Sequence, residues 1–291
     1  MPHVSEIQIR DPFVVPDPQT GTYHLFGTTD KDCWNTGVGF DTYTSRDLVN
    51  WDGPIQSFSL GDGFWATVNC WAPEVHRWRA RWYMFASFKS PAACRGTQVL
   101  VADRLTDRFT PLAPTPVTPY RWECLDGTLH VDGEGRPWIV YCHEWCQVGD
   151  GRVVAHRLAD DFTSVVGDPV VLFRASQAPW VRSFRQDRVA MVTDGPFVHR
   201  LPGGALAMIW SSYDGRGYCL GQAFSESGEI TGPWRHLPTP LLHGGDDGGH
   251  GMLFRTFEGQ LMLAVHRPNV TPNERAAFLP VAESAEGLAL R

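Results

Sequence analysis

The sequence predicts an all-β chain folded as a five-bladed β-propeller, and three observations predict it. Its apolar segments are short and bounded by Gly, Asp or Pro. No long segment carries helical periodicity. A unit of roughly 55–65 residues recurs five times, the length that three or four strands per blade require. The repeats fill the chain, so a single domain over residues 1–291 is expected.

The elements follow in order. Each unit opens with an acidic or polar residue beside Pro or Gly and runs into an apolar strand: Asp11–Val15, Ala72–Val75, Asp126–Leu129, Asp194–Val198 and His250–Leu253. The intervals between these openings are 61, 54, 68 and 56 residues. A second strand follows a Gly- or Arg-rich turn, as in Thr22–Phe26, Arg81–Phe85, Arg136–Val140, Gly204–Met208 and Gly259–Leu263. Third strands are read at Thr42–Ser45, Gln98–Ala102, Val153–Arg157 and Leu220–Phe224, rich in β-branched and aromatic types. Closures such as Ser45–Trp51, Leu105–Phe109, Leu158–Phe162 and Ile230–Trp234 end the units. The fifth unit looks clipped, as expected if N-terminal residues complete the ring. A β-sandwich is the rival, and it leaves five openings in phase unexplained.

Composition narrows the function. The chain carries 25 Lys and Arg against 32 Asp and Glu, a net charge of −7, with no basic cluster, so a nucleic-acid partner is not expected. No run of 18 apolar residues exists, so no membrane span is expected. The N-terminal residues lack a basic segment followed by an apolar run, which argues against a signal peptide and for a cytoplasmic protein. Seven Cys, an odd number without a CxxC, read as reduced thiols. Strand alternation puts Cys142, Glu144 and Cys146 on one face and His143 on the other, against a zinc site. The oligomeric state is not legible.

In a propeller the innermost strand of every blade lines the axis, so the openings converge. They supply Asp11, Glu74, Asp126, Asp194 and His250. Carboxylates crowded around one pocket disfavour joint ionisation, which separates an acid from a base. Any single Asp-Pro or Asp-Gly is an ordinary turn; the periodic placement is what carries chemistry. Trp71 beside Ala-Pro suits a sugar platform as well as a core. Trp34 and Trp180 lie in irregular segments expected to rim the pocket.

From Ile9 onward the sequence resembles glycoside hydrolase family 43, through Arg10–Asp11–Pro12, Trp71–Ala72–Pro73–Glu74–Val75, Leu125–Asp126–Gly127, Gly249–His250–Gly251 and His266–Arg267–Pro268, in order. The resemblance implies an inverting hydrolase that releases a terminal arabinofuranosyl or xylosyl unit from plant-type oligosaccharides. It implies Asp11 as general base, Asp126 as the residue that orients the acid and tunes its pKa, and Asp194 as general acid. Trp71, Glu74, His250 and Arg267 become substrate-binding candidates. No cofactor is required, but a calcium near the axis, with His250 as a metal ligand, is a further expectation, and Asp246–Asp247 could also attract calcium. One departure stands out: the fourth-blade motif usually has Glu before Gly-Pro, and this chain has Thr193–Asp194–Gly195–Pro196. Asp is about 1.5 Å shorter in reach. Glu74 and Glu144 are the substitutes considered, and a non-catalytic sugar-binding propeller is the alternative reading. A fructan hydrolase or glycosyl phosphorylase is disfavoured, because retaining relatives carry Arg-Asp-Pro in a later blade.

Overall fold

The computed structural model describes residues 1–245 and 248–291. Five four-stranded antiparallel sheets form, each from four consecutive strands in meander order. Blade one holds β1 (Arg10–Asp17), β2 (Thr22–Thr28), β3 (Gly39–Ser45) and β4 (Asp52–Ser59). Blade two holds β5 (Val68–Trp78), β6 (Arg81–Ser90), β7 (Ala93–Ala102) and β8 (Thr110–Pro111). Blade three holds β9 (Cys124–Val131), β10 (Pro137–His143), β11 (Arg152–Leu158) and β12 (Val165–Arg174). Blade four holds β13 (Asp194–Arg200), β14 (Leu206–Tyr213), β15 (Tyr218–Ser225) and β16 (Trp234–His236). Blade five holds β17 (Gly249–Arg255), β18 (Leu261–Arg267), β19 (Arg275–Ser284) and β20 (Gly287–Leu290).

The core lies between blades. Middle strands such as β6, β14 and β15 are buried on both faces, because each sheet packs against two neighbours. Fully buried Phe26, Phe85, Trp210 and Leu263 fill these interfaces. Outer strands are exposed; β4 buries only its last residues.

The five-blade expectation holds, with one correction. Blade five is complete, and the N-terminal residues lend it no strand. They dock on its side instead. The Ile9 amide donates to the Glu274 carbonyl at 3.1 Å, and Arg275 Nε donates to the Ser5 carbonyl at 2.9 Å. Arg10 reaches the buried Glu274 carboxylate at 2.6 Å. Side-chain and edge contacts therefore close the ring.

Every innermost strand carries the same β-bulge. Two residues oppose one on the second strand at Asp11–Pro12, Ala72–Pro73, Asp126–Gly127, Gly195–Pro196 and His250–Gly251. The first residue of each bulge is left-handed: φ is 51° at Asp11, 46° at Ala72, 57° at Asp126, 50° at Gly195 and 49° at His250. Such a backbone is costly for a side-chain-bearing residue and clusters at functional sites. It re-aims the side chain toward the axis.

The bulges also correct the phase read from sequence. Asp194 is not the counterpart of Asp11, because Gly195 occupies that position. Asp194 stands one residue earlier, level with Arg10, Trp71, Leu125 and Gly249. Blade four needs glycine at the bulge: a Cβ on Gly195 would come within 2.7 Å of the His250 ring.

Candidate active site

A cavity of about 520 Å³ opens on the axis where the bulges meet. Asp11, Asp126, Asp194, His250 and Trp71 all line it, so five of the seven site residues expected from sequence come together.

The remaining two stand outside its walls. Glu74 follows the blade-two bulge and lies deeper along the axis, 3.1 Å from His76 Nε2. His76 packs edge-on against Phe13, whose ring meets that of Phe197 at 6.2 Å. These side chains plug the channel beneath the cavity. Arg267 packs against Gly248, where a Cβ would approach its Cγ to 2.7 Å. Trp180 is likewise no rim residue; it is buried against Trp210. Trp34 does reach the rim, its ring set edge-to-face with that of Trp71 at 5.0 Å between centroids.

Asp11 is built to stay ionised. Its Oδ2 accepts from the Thr28 hydroxyl at 2.8 Å, and its Oδ1 lies 3.2 Å from His250 Nδ1. His266 Nδ1 accepts the Asp11 amide at 3.2 Å, while Nε2 faces Asn269 Oδ1 at 3.1 Å, so the ring proton belongs on Nε2. Burial alone would raise the Asp11 pKa. The charges of His250 and Arg10 outweigh it, and the carboxyl is held well below its usual range.

Asp194 has the opposite surroundings. Among the described residues, the Tyr218 hydroxyl donates to its Oδ2 at 3.1 Å. Burial, then the nearby Asp126 charge, push its pKa up to about 8 despite the countering charge of His250. Asp126 sits between the two. Its Oδ2 accepts the Gly195 amide at 2.9 Å and lies 3.8 Å from His250 Nδ1. Burial first, and then Asp11, raise the Asp126 pKa well above a normal carboxyl. Two carboxyls buried this closely cannot both ionise at neutral pH.

The walls include residues the sequence reading did not select. Arg95, from β7, lies flat on Trp71 at 3.8 Å and pairs with the buried Glu144 at 3.2 Å. Arg95 Nη1 is buried without a protein acceptor among the described residues. Trp145, Phe184 and Tyr213 form an aromatic run on the far side. Tyr218 is admitted by Gly249, where a Cβ would come within 2.6 Å of its ring. Arg95 and Tyr218 lie at the start of third strands, Tyr213 ends a second strand, and Trp145 and Phe184 lie between strands, where no repeated motif marks them. Glu144 precedes a short helix, Trp145–Val148, so strand alternation ends at His143. Its carboxylate faces the Cys146 thiol at 3.7 Å, and His143 instead stacks on Trp122.

His250 and its neighbours do not fit a calcium cage. Calcium takes six to eight oxygen ligands, whereas His250 presents a nitrogen already drawn onto Asp11 and Asp126. Among the described residues no group of three or more His, Cys, Asp or Glu is arranged to hold a metal. The acidic pair Asp246–Asp247 lies outside the described residues.

The chain is similar to known proteins over most of its length. Residues 3–285 match the family described as "Glycosyl hydrolases family 43". The crystal structure of an endo-arabinase from Bacteroides thetaiotaomicron VPI-5482 is 40% identical, covers 96% of both chains and superposes with a TM-score of 0.90. An endo-1,4-β-xylanase structure from the same organism shares the fold at 21% identity, covering 98% of this chain and 94% of that one, TM-score 0.79. Among curated proteins, the extracellular exo-α-(1→5)-L-arabinofuranosidase ArbA of Cellvibrio japonicus is 22% identical over 181 residues, 54% of this chain. The match spans 46% of that protein's length.

Proposed function

The chain belongs to glycosyl hydrolases family 43, and from that premise we propose that it is an inverting pentoside hydrolase acting on arabinose- or xylose-containing oligosaccharides. One observation carries the reading: a single cavity holds one carboxyl kept ionised, Asp11, and another kept protonated, Asp194, on blades separated by blade five. Asp194 donates its proton to the leaving glycosidic oxygen. Asp11 draws a proton from a water that attacks the opposite face of the sugar ring, which inverts the anomeric centre. Asp126 holds the peptide after Asp194 through the Gly195 amide and, by its own proximity, disfavours ionisation of the acid.

The sugar sits on an aromatic and cationic wall. Trp71 and Trp34 line the cavity beside Arg95, and the Nη1 of Arg95, without an acceptor among the described residues, suits a sugar hydroxyl. Phe13, Phe197 and His76 pack ring against ring beyond the bulges, a crowding that supports capture of a terminal residue. The 40% identical endo-arabinase favours a second reading, cleavage within an arabinan chain.

Turnover of nitrophenyl α-L-arabinofuranoside and β-D-xyloside, with the product anomer followed by NMR, tests the reaction. Release of the inverted sugar is expected. Retention of configuration would overturn the assigned roles, and binding without turnover would favour the non-catalytic propeller. Products from linear arabino-oligosaccharides separate terminal release, which gives monosaccharide alone, from internal cleavage, which gives mixed oligomers.

A further inference from the structure

We infer that Cys142 is a positioning residue: by withholding a hydroxyl from the seam between blades three and four, it brings the Asp126 carboxylate into direct contact with the peptide that follows Asp194. This rests on the roles proposed above for Asp126 and Asp194.

The five seams share one construction. At four of them, the amide of a bulge residue donates to a side chain on the second strand of the preceding blade. Thr28 Oγ1 accepts the Ala72 amide, Ser87 Oγ that of Asp126, and Ser211 Oγ that of His250, each at 2.8 Å. His266 Nδ1 accepts the Asp11 amide at 3.2 Å. These four acceptors hold one register position, opposite Arg10, Trp71, Asp194 and Gly249 respectively. Cys142, opposite Leu125, is the fifth.

A thiol is a weak acceptor. Cys142 is fully buried. The Gly195 amide therefore goes past it, to Asp126 Oδ2. Blade one shows the alternative within the same molecule: the Ala72 amide donates to Thr28, and the Thr28 hydroxyl donates to Asp11. There a hydroxyl stands between carboxylate and peptide. At the third seam nothing does, and the amide that Asp126 grips belongs to the Asp194–Gly195 peptide itself. Asp126 thus fixes the acid-bearing backbone and stays close enough to resist a second negative charge on Asp194. Other charged or titratable groups facing this pair are Asp11, His250, Glu144, Glu74 and Tyr218, contributed by every blade.

The test compares Cys142→Ser with Cys142→Ala. Serine supplies the missing acceptor, so Cys142→Ser should rebuild the relay of blade one, melt no lower than Cys142→Ala, and yet lose about 10-fold in kcat with KM nearly unchanged. Its alkaline limb should fall by roughly 0.5–1 pH unit as Asp126 draws away from the acid. Cys142→Ala, which adds no acceptor, should keep the wild-type profile. Equal losses in both variants would mean packing alone, and wild-type kinetics in Cys142→Ser would overturn the inference. The Gly195 amide resonance of ¹⁵N-labelled protein is independent of turnover. It should follow Asp126 titration in wild type and lose that response in Cys142→Ser; an unchanged response in the serine variant sinks the inference even if no pentoside is a substrate.

Discussion

Blades one and four each bring an aspartate to the same cavity, and their surroundings send the two in opposite directions. Asp11 sits on a left-handed bulge residue with the Thr28 hydroxyl, His250 and Arg10 around it, and it stays ionised. Asp194 sits one position before the bulge, beside Tyr218 and the buried Asp126, and it keeps its proton up to about pH 8. The side chains are identical. Local charge and hydrogen bonding assign base and acid, and a shift of one residue along an otherwise repeated strand decides which surroundings each receives.

The comparison breaks most severely at the base. Asp11→Ala should lower kcat/KM by ~10³-fold or more, measured with a nitrophenyl pentoside, because it removes the carboxylate assigned to the attacking water. Activity equal to wild type would remove Asp11 from its role. Asp194→Asn should cost ~10²–10³-fold, and a substrate with a good leaving group should recover part of it, since such a substrate needs less protonation. Asp194→Glu, which restores the longer side chain usual at this position, should retain far more activity than Asn.

Smaller effects sharpen the contrast. Tyr218→Phe deletes the hydrogen bond that favours the ionised form of Asp194. Its alkaline limb should move upward and kcat should fall by ~3–10-fold; a downward move would mean the hydroxyl acts elsewhere. Stability offers the gentlest probe. The Asp194 pKa is raised from 3.8 to about 8, so the folded state holds a proton that the unfolded chain releases. Its contribution is fully present below pH 3.8 and is lost as pH rises through about 8. Asp194→Asn has no such dependence. Its melting temperature relative to wild type should therefore climb across that window, by a few degrees, in thermal scans; a flat difference would contradict the raised pKa.

Much of this was legible in the sequence, for physical reasons. Middle strands such as β6 and β10 are buried on both faces, so burial selects their apolar and β-branched runs. The outer strands β4 and β12 face solvent, and little in their residues announces them. Asp11, Asp126 and His250 were visible because each opens its bulge as an Asp or His beside Pro or Gly, and that signature repeats. The true phase of Asp194 was hidden, since Gly195 fills the bulge to clear His250, and sequence spacing does not encode that clash. Arg95 and Tyr218 come from third strands whose cavity ends share no motif. Glu74 looked like a site residue because its strand opens like the others; only the depth of its position on the axis separates it from the cavity.

The junction between first and last blades has a mechanical meaning. Elsewhere around the circle, neighbouring blades are tied by the chain running from one into the next. Here no peptide links them, and the seam is held by the Arg10–Glu274 pair, a few edge hydrogen bonds and apolar packing such as Tyr23 on Phe254 and Trp51 on Phe278. Asp11 lies on one lip, with His250 and His266 on the other. Any gape at this lip disarms the water-activating carboxylate while four other interfaces remain intact, so warming should silence the enzyme before its sheets dissolve.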